Sequence, residues 1–352
     1  MGLPSVIINF KETASSAIKR GERGIVALVL RDGVDNIESH EVLAPSDMPM
    51  DLKGFNREQI QLALMGYQTP PKKVLAIVVS EEAADYGEVM KHLETLRWDY
   101  LAIPEIEQHE VTTIATWIKS LDKRVKAVLP HCKGDHESII NFASDGIVTE
   151  NKTYTTAEYC SRIAGLLSGT TMTISATFAP LNEVIDFEKK TKAEMDESIN
   201  KGELILYHDG EKVKVARAVN SLVTTTEEKG ESFKKIKIVD AMHMIHEDIK
   251  KTAEDSYLGK YANSYDNKCL LITAIQAYLD QLALDGILDN KFNNKVYIDV
   301  EGQTAYLKSI GVDVESLNDQ ELKEYNTKDK VFLKSNIKIL DAIEDITLSV
   351  AI

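Results

Sequence analysis

The chain has 352 residues, 43% hydrophobic and 28% charged, a composition that excludes disorder and allows two domains or one domain with large additions. A formal net charge of −15 repels nucleic acid and anionic membrane, which excludes a general nucleic-acid binder. Three distant cysteines, Cys132, Cys160 and Cys269, exclude a disulfide framework and fit a reducing compartment.

The opening MGLPSVIINF lacks a basic region followed by a long apolar one, so no signal peptide is expected. No apolar run reaches the ~18 residues of a membrane helix. Val6, Ile8 and Phe10 share one side of an alternating run, with Ile7 and Asn9 on the other, the pattern of a strand. The polar KETASSAIKRGERG after it reads as a linker. A strand over Ile25 to Leu30 opens the first domain, and a helix over Asn56 to Gly66 follows a polar loop holding Pro45 and Pro49. Beyond it the two periods alternate. Strands are expected at Val74 to Val79, Tyr100 to Ile103, Val125 to Leu129 and Gly146 to Val148. Helices are expected at Glu82 to Leu96, Val111 to Leu121, His136 to Phe142 and Thr155 to Leu167. Apolar strands alternating with helices imply a parallel sheet covered on both faces.

Gly169 to Pro180 reads as loop or irregular strand, and Phe187 to Asn200 as a charged helix. Glu203 to Tyr207 and Lys212 to Val219 read as a hairpin about Asp209-Gly210. The strand-like ARAVNSLVTTT, from Ala216, leads into two amphipathic helices. The first aligns Ile238, Met242, Ile245 and Ile249; the second, with Asn263 and Asp266 as its cap, aligns Leu271, Ala274, Ile275, Tyr278, Leu279 and Leu282. A strand over Val296 to Val300, a helix over Gln303 to Ile310 and the polar SLNDQELKEYNTKDK follow. The last seven residues alternate strictly, with Ile346, Leu348, Val350 and Ile352 on one side.

None of the usual chemical constellations is complete. Val79 is followed by SEEAADYG, which sets two glutamates where a dinucleotide's phosphates would bind, and no GxxxxGK[ST] occurs. His131, Cys132 and His136 invite a zinc reading, but a fourth ligand and the usual spacing are missing, so a polar loop is the better reading. His243 and His246 lie one helical turn apart and read better as a helix flank than as a metal pair. No GxSxG occurs, and Asp285-Gly286 with Asp289-Asn290 lacks the EF-hand pattern. No catalytic, cofactor-binding or metal residue is therefore assigned, no cofactor is expected, and the chain is not read as an enzyme.

The positive signal lies at the termini. Each is a short apolar strand on a polar tether, and a strand of that kind either pairs within its own domain or is donated to a neighbour. GLPSVIINF…AIKRGERGIVALVLRD, TAEYCSRIAGLLSGTTMTISAT, ARAVNSLVTTT, FKKIKIVDAMHMIHEDI, YLGKYANSYDNK and DAIEDITLSVAI carry a family resemblance nearly end to end. On them the chain resembles the sheath protein of contractile phage tails, most like those of Gram-positive myophages, PBSX-type defective prophages and R-type bacteriocin particles.

The resemblance implies an α/β fold, α+β overall. A parallel α/β outer domain (25–210) stands beside an α+β inner C-terminal domain (211–325). The sheet of the inner domain is completed by the N-terminal (1–24) and C-terminal (326–352) arms of neighbouring subunits. The donated residues would be Val6, Ile7, Ile8, Phe10, Ile346, Leu348, Val350 and Ile352. Lys11 to Gly24 and Tyr325 to Ser335 would act as hinges, and contact with the tube is first sought on the helix around Asp240 to Lys251. The implied partners are further copies in a helical lattice of stacked rings, the tail tube protein, and baseplate and tail terminator or collar proteins; neither nucleic acid nor membrane insertion is implied. Such a sheath assembles in the bacterial cytoplasm, belongs to a phage tail or bacteriocin particle, and is released by lysis. The rival class is an α/β enzyme or small-molecule binding protein without the usual nucleotide motifs.

Overall fold

In the computed structural model, residues 17–352 apart from Glu22 are described; Val6, Ile7, Ile8 and Phe10 lie outside them. The first strand, β1 (Ile25–Asp32), is buried on both faces, which is why IVALVLRD shows no alternation. It is followed by β2 (Glu38–Val42), α1 (Gly54–Leu64), β3 (Lys73–Ser80), α2 (Gly87–Thr95), β4 (Tyr100–Ala102), α3 (Gln108–Ser120), β5 (Lys126–Pro130) and β6 (Ile139–Phe142). Next come β7 (Ile147–Thr149), β8 (Thr153–Tyr154), α4 (Thr156–Ser168), β9 (Val184–Asp186), α5 (Lys192–Asn200), β10 (Glu203–Leu204), β11 (Leu206–His208) and β12 (Val213–Val215). The last are α6 (Ile236–Ser256), α7 (Tyr265–Leu284), β13 (Lys295–Ile298), α8 (Val300–Ser309), α9 (Asp319–Glu324) and β14 (Leu333–Asn336).

Seven strands form one sheet in the order β10-β6-β5-β4-β1-β3-β2. Every neighbouring pair is parallel except β2 with β3. Successive residues of β1 serve opposite faces, as the pleat requires. Val26, Leu28 and Leu30 pack with Ile60 and Ala63 of α1 and Ile163 and Leu166 of α4. Ile25, Ala27 and Val29 pack with Leu93 of α2 and Ile114 and Ile118 of α3. The helix α4 starts on a reciprocal cap: the Thr155 hydroxyl accepts from the Glu158 N–H, and the Glu158 carboxylate accepts from the Thr155 N–H. It crosses α1 so closely that a Cβ on Gly165 would overlap the Ala63 carbonyl.

Two compact units divide the described chain: residues 21–246 with 340–352, and residues 247–339 with 17–20. In the second unit α7 buries Ala274, Ile275, Tyr278, Leu279 and Leu282 of the expected stripe and leaves Leu271 half-buried. The Tyr278 hydroxyl donates to buried Asp248 at 2.7 Å. β13 and β14 form an antiparallel pair, Lys295 with Asn336 through Ile298 with Leu333, with α8 and α9 in the connection between them.

Several local expectations are corrected. The helix expected at His136 to Phe142 is instead β6, fully buried beside β5; a four-residue apolar run fits either period. ARAVNSLVTTT forms no strand beyond a bridge from Val219 to Lys235. Its buried Asn220 and Ser221 take backbone partners elsewhere: Asn220 donates to the Phe233 carbonyl at 2.6 Å, and Ser221 N–H to Ile139 at 2.8 Å. Ser264, not Asn263, caps α7. The Asn263 amide reaches Thr327 and the carbonyls of Lys328 and Lys330. The segment Tyr325 to Ser335, expected as a hinge, also pairs with β13 through β14. The polar SLNDQELKEYNTKDK contains α9, capped by Asn318 and Glu321. The last seven residues form no strand.

One polar cluster ties α6 to the sheet. Lys126 on β5 is almost wholly buried and lies 2.5 Å from the Asp240 carboxylate. The Tyr100 hydroxyl on β4 donates to both Asp240 oxygens at 2.8 and 2.9 Å. The Lys126 ammonium also donates to His243 Nδ1 at 3.2 Å and sits 4.8 Å over the Tyr100 ring. Asp240 and His243 thus face their own sheet. Burial, then Lys126, pushes the His243 imidazole far below the ordinary histidine range. Burial and then Asp240 push the Tyr100 hydroxyl well up. Each buried group here has a partner, and removing one leaves another buried and uncompensated.

Three outcomes are expected in urea unfolding of the subunit. Gly165→Ala, which forces α1 from α4, destabilises by about 2 kcal/mol. Lys126→Met costs about 3 kcal/mol, most of it recovered when Asp240→Leu and Tyr100→Phe are added. Neutral His243 is protonated only on unfolding, so its contribution is complete above pH ~6.5 and declines below it by about 1.4 kcal/mol per pH unit. His243→Gln flattens that part of the profile, and an unchanged slope would place the proton uptake elsewhere.

Candidate assembly interface

Doubly wound sheets bind ligands at the carboxyl ends of the strands where the order reverses, here β1 and β4. That position is filled from within. The Arg31 guanidinium lies 5.0 Å over the Tyr86 ring, donates to the Ala83 carbonyl at 2.7 Å and lies 3.9 Å from Glu110. Beside it, burial opposes ionisation of Asp32, but the N–H groups of Lys53 and Gly33 and the Asn56 amide hold its carboxyl below the usual range.

The histidine and cysteine candidates take separate partners. His131 Nε2 bonds Asp145 at 2.9 Å. Cys132 is buried, and burial raises its thiol to about 11. His136 Nδ1 accepts from the Ser138 N–H at 3.1 Å. His243 is turned to Lys126, a cation. Among the described residues no group of three His, Cys, Asp or Glu side chains could hold a metal ion, and no helix is long and apolar enough to cross a membrane.

The remaining candidates are the C-terminal residues. Ile343, Ile346, Leu348, Val350 and Ile352 are all exposed, the first four by 73–87%. Water contact on this scale is costly for five apolar side chains within ten residues. The stretch carries the alternation of a strand, yet it pairs with no strand among the described residues.

The two-stranded β13–β14 sheet presents the reciprocal feature. Val296 and Ile298 face inward while Tyr297 is exposed. Among the described residues neither outer edge meets a third strand. At the β13 edge, the Gln276 side chain of α7 accepts from the Val296 N–H at 3.2 Å and donates to the Asn294 carbonyl at 2.8 Å. These are the two bonds one residue of an added parallel strand would make. Grooves run beside this edge. One encloses about 590 Å³ and is lined by Tyr265, Cys269, Tyr297 and Lys334. The other encloses about 840 Å³ and is lined by Ala277, Leu284 and Phe292. The sequence reading found the C-terminal alternation but missed Gln276 and β14, whose polar Lys334, Ser335 and Asn336 show no apolar period.

Known proteins share this architecture. Residues 81–221 match the family described as phage tail sheath protein central domain, and residues 228–352 the family described as phage tail sheath C-terminal domain. The tail sheath protein of Clostridium phage phiCD119 is 39% identical over 358 residues, covering 99% of both chains. The phage-like element PBSX protein XkdK of Bacillus subtilis is 30% identical over 177 residues, 48% of this chain and 38% of that one. In fold, the helical sheath of the anti-feeding prophage in its contracted state superposes with a TM-score of 0.72 at 15% identity, over 100% of this chain and 99% of that one. The chain belongs to the phage tail sheath protein family.

Proposed function

We propose that this chain is the structural sheath subunit of a contractile injection machine, a phage tail or an R-type bacteriocin particle, and that it polymerises by lending its terminal strands to neighbouring copies. The observation that carries the reading is the C-terminal segment, an alternating apolar stretch held out in solvent, in a molecule whose β13–β14 pair meets no third strand among the described residues. Two edges and two terminal strands match in number. Each hydrogen bond of a donated strand contributes about 1 kcal/mol net, and the exposed isoleucine, leucine and valine side chains add their burial. A copy that gives to one neighbour and receives from another makes a head-to-tail contact, which closes a ring or grows a helix.

On this reading residues 1–24 are an arm and linker, 25–210 an outer domain and 211–325 the inner domain, whose β13 pairs with β14 at the root of the final arm to form the receiving sheet. The final arm, 326–352 as the resemblance has it, is free only beyond β14. Val6, Ile7, Ile8 and Phe10 pair in one neighbour and Ile346, Leu348, Val350 and Ile352 in another. The sheath stores its energy in an extended lattice around the tail tube and contracts on a signal from the baseplate. Compact units move as bodies while the strand joints keep them connected. A terminator or collar protein closes the far end. Assembly takes place in the bacterial cytoplasm and lysis releases the particle. The role requires no chemical step.

Deleting Ile346 to Ile352 is expected to leave a soluble, folded subunit that forms no sheaths under the electron microscope. Sheaths with normal joints from the truncated chain would refute strand donation. In the full chain, Val350→Asp buries a charge in each joint and raises the concentration needed for polymerisation by about tenfold or more.

A further inference from the structure

We propose that Glu344, with Asp341 and Asp345, forms a clasp that pins the root of the C-terminal arm to its own subunit and sets the direction in which the donated strand leaves. The inference rests on strand donation and names residues that position it.

The polarity of the arm root is inverted. The Glu344 side chain is only 9% exposed, whereas its neighbours Ile343 and Ile346 are 87% and 83% exposed. A segment folded for the benefit of its own subunit would bury the isoleucines and leave the carboxylate in water. Here the carboxylate is what the body holds. One Glu344 oxygen accepts from the Ser175 hydroxyl at 2.8 Å and the Thr177 hydroxyl at 2.6 Å. The other lies 3.6 Å from Arg217 Nε. Arg217 also donates to Asp345 at 2.6 Å. Lys235 pairs with Asp341, and Lys237 donates to the Leu340 carbonyl.

The receiving side is set in advance. Thr177 Oγ1 accepts from the Ala218 N–H at 3.0 Å, and Ser175 Oγ accepts from the Thr177 N–H at 3.1 Å. These bonds orient both hydroxyls. The next residue, Phe178, sits at φ +59, a left-handed conformation that a side chain of its size rarely adopts. Its N–H is held by the Val215 carbonyl at 2.9 Å.

The anchors fall on residues 340–345. From Ile346 onward the described chain is exposed and carries no strand pairing. The last clasped residue therefore directly precedes the first residue of the expected strand. Charge-assisted hydrogen bonds to a buried carboxylate hold better than an exposed ion pair. The clasp thus defines an orientation for the strand's first residue, and a receiving edge is met in one register rather than searched for by a loose tail.

The test uses the full chain with Cys269→Ser and a nitroxide label on Ile343→Cys, whose native side chain points to solvent. In the free subunit the label is expected to report a restricted root. Glu344→Gln with Asp345→Asn, and separately Arg217→Gln on the other side of the clasp, loosen it without lowering the thermal midpoint of the body. The same variants, unlabelled, polymerise about tenfold more slowly, the scale of one lost charge-assisted hydrogen bond, although Ile346 to Ile352 are intact. Unchanged label mobility in both variants would overturn the clasp. A loosened label with the native polymerisation rate and native joints would overturn its positioning role. The donation reading fails separately, if chains lacking Ile346 to Ile352 still build sheaths, and the label measurement on free subunits does not depend on that outcome.

Discussion

A β-strand without a neighbour carries backbone donors and acceptors that some other group must meet. This constraint connects the features of the chain that matter for assembly. At the β13 edge a glutamine side chain meets it. At the C-terminus water meets it, alongside five exposed apolar side chains. A free subunit can bear both arrangements, but each is poorer than the pairing of one with the other. The proposed polymer follows from that difference.

The α/β body is braced by polar contacts at both ends of its sheet. Its seven-stranded sheet has the topology of many ligand-binding folds, but Arg31 and Tyr86 occupy the crevice where a ligand would enter. At the opposite ends of the strands, Lys126 on β5 and Tyr100 on β4 converge on Asp240 of α6. Polar groups buried in such a cluster hold one geometry or lose their partners. A body proposed to move as a unit benefits from that stiffness.

The sheet was legible where its strands are apolar on both faces. IVALVLRD and KVLAIVVS admit little else at their length, and α4 announces itself through Thr155 and Glu158. IINF did not declare itself, because four apolar residues suit a helix turn as well as a strand. β14 was hidden for the opposite reason, since an edge strand exposed to water needs no apolar period. Within the candidate site, the alternation after Asp345 is visible because no charge interrupts it. The partners of Glu344 are not visible, because Ser175 lies 169 residues earlier in the chain and local patterns carry no information about contacts at that separation.

Gln276 has a consequence for how the proposed joints respond to temperature. Its amide offers β13 the same donor and acceptor as a backbone peptide, so an arriving strand exchanges like for like at that position. The enthalpy of hydrogen bonding there nearly cancels. What remains as a driving force is the removal of Ile346, Leu348, Val350 and Ile352 from water, which near room temperature is mostly entropic and strengthens on warming. A lattice joined in this way grows more readily in a warm cell than in a chilled tube, and cooling loosens its joints before it unfolds its subunits.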